Sequence, residues 1–197
     1  MNQLFAWDQG IFKYINSGIS NPFFDLLMPF ARFAPDWIPL YVFFAAFLIY
    51  NFRIKGLYVI LFAVFAVILS DQVCSVFIKP LVHRLRPCYD AHLSGHVRLL
   101  LQSCGGKYGF PSSHASNHFT MAIYLISIMP KRIKWVKPVV LTWAFLVAFA
   151  QVYVGVHFPG DVICGALLGC CIGWLLATLC KMIMNVDLDK ELETAVE

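Results

Sequence analysis

Three short stretches of this chain hold side chains capable of acid–base or nucleophilic chemistry. In AQVYVGVHFPGD (150–161), His157 and Asp161 stand four residues apart. An aspartate in the first turn of a helix can accept from one ring N–H of such a histidine. That fixes the tautomer and leaves the other nitrogen more basic and more nucleophilic. By itself the spacing is weak, because either residue could simply cap a helix.

The second stretch is GGKYGFPSSHASNHF (105–119). Pro111 suits a helix start and Ser112 or Ser113 suits its cap. The free N–H groups of a first helical turn, with the helix dipole, favour an anion there. His114 falls in that turn and could donate a proton to a leaving group. His118 lies one turn deeper and reads as a hydrogen-bonding residue of a bundle. A His-x3-His pair could instead hold a metal or haem, but no third ligand of convincing spacing follows it. The third stretch is SDQVCSVFIKPLVHRLRP (70–87). If one helix ran on to Arg86, then Asp71, Ser75, Lys79, His83 and Arg86 would share a face. Lys79 and Arg86 could then hold a dianion between them, while Asp71 would satisfy a partner inside the bundle. Arg84 is expected to reach outward to lipid head groups.

Such residues must be positioned by elements made for a membrane. Of 197 residues, 60% are hydrophobic and only 13% are charged, where soluble domains run near 25% charged. The expected fold is all-α: a polytopic membrane helix bundle of about six transmembrane helices with an N-terminal interfacial helix. Long apolar segments lie near 37–52, 56–79, 112–129, 136–156 and 160–182; Pro22–Arg32 is apolar but brief, giving six spans if it crosses and five if it does not. The chain is expected to form one domain, 1–197, with the interfacial helix in 1–20, an outer loop at 80–111 and a solvated cytoplasmic tail at 184–197. Residues 1–20 lack the basic start and cleavage site of a signal peptide.

The joints bearing Arg53 and Lys55, and Lys131, Arg132, Lys134 and Lys137, should face the cytoplasm. All three clusters then meet in one layer on the outer side. Two histidines, a carboxylate, two cations and a helix N-terminus are the parts of a covalent phosphoryl-transfer centre. No basic patch interleaved with aromatics suggests nucleic acid.

These stretches resemble the signature of the type-2 phosphatidic acid phosphatase superfamily, K-x6-R-P, P-S-G-H and S-R-x5-H-x3-D. The matching residues are Lys79 with Arg86-Pro87, Pro111-Ser112-Ser113-His114, and His157 with Asp161. The resemblance implies an integral membrane lipid phosphate phosphatase needing no metal or cofactor. His157 would be the nucleophile, Asp161 its orienting carboxylate and His114 the acid. Lys79, Arg86, Ser112 and the N–H of Ser113 would hold the phosphate. The implied substrates are polyprenyl pyrophosphate, phosphatidylglycerol phosphate, phosphatidic acid or lipid A phosphates. The implied location is a bacterial inner membrane, with the site facing the periplasm or exterior. Ser113 replaces the motif's glycine, a mild change.

Ala150 and Gln151 replace its serine and arginine, which exchanges a charged fork for a neutral amide in the phosphate shell. His83, Arg84 or Lys107 could supply the missing charge; a binding or transport protein with little turnover is the alternative. Cys88 and Cys104 share the outer loop, and in an oxidising compartment a disulfide between them is expected; two free thiols are the other possibility.

Overall fold

Every helix boundary around the three clusters follows from a local signal. The computed structural model describes residues 3–93 and 95–194. Helix α1 (Gln3–Lys13) runs into a π turn, Tyr14–Gly18. Helix α2 (Pro22–Arg32) starts on Pro22, and the Asn21 side chain accepts from Phe24 N–H at 3.0 Å, the usual cap chemistry. A single 3₁₀ turn, Ala34–Trp37, leads into α3 (Ile38–Gln72).

A straight helix of that length would run about 52 Å, far beyond a hydrocarbon core of about 30 Å. It is instead broken at Arg53 (φ 49°, ψ −121°) into limbs 38–52 and 54–72. Gly56 permits the break, because a Cβ there would collide with the Leu48 carbonyl. Pro80, in the short α4 (Lys79–Val82), cannot donate to the turn before it, and Val73–Ile78 is widened into a π segment. Helices α5 (Ser113–Ile128), α6 (Val136–Tyr153), α7 (Pro159–Met184) and α8 (Leu188–Thr194) complete the order.

The protein is an all-α membrane bundle, and its surface is apolar outward. Ile163, Leu167 and Trp174 of α7 are about 60% exposed, while small residues on the same helix are buried. Among the described residues, three runs are long and apolar enough to cross a bilayer: Ala34–Val82, Val136–Tyr153 and Pro159–Met184. Helix α5, with 16 residues, is shorter.

The closest packing is between α5 and α7. Gly165, Gly169 and Gly173 form a stripe at i, i+4 and i+8, and a Cβ on any of them would fall on the carbonyl of Ser112, Ser116 or Thr120 respectively. Small residues let the two backbones approach directly, as membrane interiors require for close helix contact. Ser112 N–H also donates to Asp161 O at 2.9 Å, which ties the two N-termini together.

Two expectations are corrected here. The helix carrying Lys79 stops at Val82, with His83 in the left-handed region (φ 54°), so Arg86 reaches the site from a loop and not from a continuous stripe. The tail, expected to be solvated, forms α8, with Leu188 buried and Glu191 paired to Lys55. Val186 and Leu188 are buried and let this segment cover the bundle's end; residues 195–197 lie outside those described.

Candidate active site

The outer loop brings the first two clusters into register. Leu85 and Tyr108 form an antiparallel bridge, Arg86 N–H donates to Lys107 O at 3.2 Å, and Gly109 N–H donates to Arg84 O at 2.8 Å. Cys88 and Cys104 are joined as a disulfide, Cα–Cα 6.4 Å. The guanidinium of Arg86 is held by backbone: Nη1 donates to Cys104 O at 2.9 Å and Nε to Tyr108 O at 3.3 Å. Its pKa is pulled down by burial, a sign of a cation kept partly out of water.

Lys79 Nζ donates to Ser113 Oγ at 2.6 Å, and Ser75 Oγ lies 3.2 Å from the same atom. Ser112 caps α5, its Oγ accepting from Ala115 N–H at 3.4 Å. His114 follows in the first turn. Asp71 meets Asn117 Nδ2 at 3.4 Å, a bundle contact.

The third cluster sits against these. His157 lies in the short joint between α6 and α7 and is 1% exposed; Asp161, in the first turn of α7, is fully buried. Asp161 Oδ2 accepts Phe158 N–H at 3.0 Å and stands 3.5 Å from His157 Nδ1, too long to count as a closed hydrogen bond. Catalytic hydrogen bonds often tighten only once substrate is bound. Burial lowers the His157 pKa to about 4, although Asp161 acts to raise it. The ring is therefore neutral at physiological pH, the form a nucleophile needs. Arg86 and Lys79 both act electrostatically on His157, and Arg86 also acts on His114, so the three clusters share one charged neighbourhood.

Arg84 was expected at the head groups, but it is only 16% exposed and lies between two carboxylates. Nη1 donates to Asp161 Oδ1 at 2.7 Å, and Nη2 pairs with Asp8 of α1. Asp8 also accepts Gly160 N–H at 2.8 Å. Helix α1 folds over the joint and brings in a second, partly buried acid, and two acids in a poorly solvated place draw in a cation. Of the three cations suggested to replace the motif's arginine, Arg84 is engaged with Asp8 and Asp161, His83 packs on Tyr108, and Lys107 is exposed.

Gln151, fully buried in the last turn of α6, accepts instead from Arg32 Nε at 3.3 Å. Sequence reasoning missed Arg32 and Asp8. The available signal was isolation: Arg32 is the only Lys or Arg between Lys13 and Arg53.

A cavity of about 480 Å³ opens beside the site. Its walls are mostly apolar, from both limbs of α3, from α5 and from Trp143 of α6, and it begins at Asn117 and His118, one turn below His114. The Nε2 of His118 and the Nε1 of Trp143 are buried with no protein partner.

A family model, PAP2 superfamily, matches residues 59–184. The lipid A 4'-phosphatase of Bacteroides thetaiotaomicron is 36% identical over 162 residues, 81% of this chain and 71% of its own. The lipid A 4'-phosphatase of Porphyromonas gingivalis is 28% identical over 174 residues, 88% of this chain and 72% of its own. Among solved structures, Aquifex aeolicus LpxE is similar with a TM-score of 0.63 at 28% identity, covering 86% of this chain and 94% of that one. A transmembrane PAP2-type phosphatidylglycerolphosphate phosphatase from Bacillus subtilis is similar in fold, with a TM-score of 0.67 at 24% identity over 93% and 89% of the two chains.

Proposed function

The chain belongs to the PAP2 superfamily, and on that basis we propose that it hydrolyses the phosphate of a membrane lipid through a phosphohistidine. The observation that carries this reading is the meeting of His157, backed by Asp161, with Lys79, Ser113 and Arg86 at the N-terminus of α5. The relatives favour a lipid A type substrate; polyprenyl pyrophosphate, phosphatidylglycerol phosphate and phosphatidic acid are the other candidates.

In the first step the free ring nitrogen of neutral His157 attacks phosphorus. The bond from phosphorus to the lipid oxygen breaks, and protonated His114 gives its proton to that oxygen. Lys79, Arg86, Ser112 through its hydroxyl and the N–H of Ser113 carry the charge on the phosphoryl oxygens. Water then attacks the phosphohistidine and His114 takes its proton, so the nitrogen–phosphorus bond breaks and inorganic phosphate leaves. Asp161 steadies the imidazolium formed in between. The proposed site faces the periplasm or exterior at head-group level. The cavity below His114 supports a lipid substrate, since apolar chains fill such a space favourably.

The test is phosphate release from a panel of these lipids in detergent with chelator present. Release is expected for at least one lipid, with about a thousandfold loss in His157→Asn. Undiminished activity in that variant removes the nucleophile. Gln151 favours a second reading, a lipid-phosphate binder with little turnover; tight lipid binding without release would select it.

A further inference from the structure

We infer that Arg32, at the end of α2, is a phosphate-binding residue that supplies from another helix the guanidinium missing at position 151. The inference rests on the reading of the site as a phosphate centre.

Helix α2 turns Met28 and Ala31 onto α6, where they pack with Ala150, Tyr153 and Val154. Arg32 follows Met28 by one turn and so shares that face. Its Nε donates to Gln151 Oε1 at 3.3 Å, which places the base of its fork beside the α6 position where the signature has its own arginine. With Nε anchored, the Nη1 and Nη2 donors remain for a ligand. Among the described residues no carboxylate is within ion-pair distance of Arg32.

Its neighbours are instead a cation and an imidazole: Arg86 acts electrostatically on Arg32, and Arg32 acts on His114. Every other arginine of the outer layer has a different engagement. Arg84 is neutralised by Asp8 and Asp161, Arg98 by Asp25 at 2.5 Å, and Arg86 is tied to loop carbonyls on the side of Lys79. A half-buried guanidinium beside a second guanidinium and an imidazole, with no acid within ion-pair distance among the described residues, is stabilised when an anion joins them. Gln151 has a matching role. An arginine at 151 would put two guanidiniums in one place, whereas an amide carbonyl can accept from Arg32 and hold its fork flat.

The experiment measures phosphate release together with binding of orthovanadate, an inorganic phosphate mimic, by calorimetry on full-length protein in detergent. Arg32→Gln is expected to weaken orthovanadate binding at least about tenfold and to lower kcat/KM by about thirtyfold or more, as loss of a charge-assisted contact implies. Arg32→Lys should fall between it and wild type. The exchange variant R32Q/Q151R, which returns the guanidinium to α6, should recover both quantities to within about fivefold.

Orthovanadate affinity unchanged in Arg32→Gln overturns the inference. So does an exchange variant that melts like wild type yet binds no better than Arg32→Gln. If Arg32→Gln fails to fold, the folded exchange variant decides alone. Wild type that releases no phosphate from any lipid yet loses orthovanadate binding in Arg32→Gln would reject the enzymatic reading and keep Arg32 as an anion ligand.

Discussion

The two flanks of α5 are built in opposite ways. Toward α7 the backbones touch through Gly165, Gly169 and Gly173, and the seam is closed at its top by Asp8, Arg84 and Asp161. Toward α3 and α6 the same helix borders an apolar cavity of about 480 Å³ where, among the described residues, His118 Nε2 and Trp143 Nε1 have no protein partner. The proposed mechanism needs His114 and His157 to hold one geometry relative to phosphorus, and α5 and α7 are locked by contacts that admit no Cβ. A lipid chain varies in length and kink, so the flank proposed to receive it is roomy and apolar. Precision is concentrated on one side of a single helix and tolerance on the other.

The contrast can be broken at the closed end of the seam. Arg84→Met leaves the buried Asp161 and the partly buried Asp8 without their cation and should destabilise the fold by about 3–5 kcal/mol. Lys55→Met, which removes the more exposed pair with Glu191, should cost no more than about 1 kcal/mol. Thermal melting in detergent compares them, and equal effects would deny the seam its special standing.

Lower on the seam, Gly169→Leu drives a side chain into the Ser116 carbonyl and should cost about 3 kcal/mol along with most activity. The same change at Gly10, which has open space around it, should leave melting nearly unaltered. Wild-type activity in Gly169→Leu would show that the α5–α7 approach is not what aligns the histidines.

Acid tests the seam's chemistry. The His157 pKa, near 4 in the fold, lies below its ordinary 6.5. Between those values the unfolded chain binds the proton and the folded chain does not, so stability falls as pH drops from 6.5 to 4, by up to about 3 kcal/mol. Above 6.5 the contribution is fully present. His157→Asn should flatten that part of the melting-temperature profile; an unchanged slope would assign the acid sensitivity elsewhere.

The smallest effect belongs to the open flank. Met121→Phe narrows the cavity and should raise KM for long-chain lipids by about threefold, with kcat and the KM of short-chain analogues little changed. A drop in kcat instead would mean that the two flanks are coupled.

The signature residues were legible because their chemistry needs particular types at particular spacings: Lys79 to Arg86, Ser112 to His114, His157 to Asp161. The apolar spans were legible because each must satisfy its own backbone in lipid. Arg32, Arg84 and Asp8 were not, since each acts across more than 70 residues of chain and only packing shows whether a cation meets an acid, an amide or solvent.

Taken alone, the sequence determined the chemical class of the centre and the membrane setting, because composition and local spacing are properties of contiguous residues. Only the tertiary structure decided which cations are neutralised and which stay available for an anion. A charge's role depends on its nearest neighbours, and those come from α1, α2, the outer loop and α7 only after the glycine seam has closed.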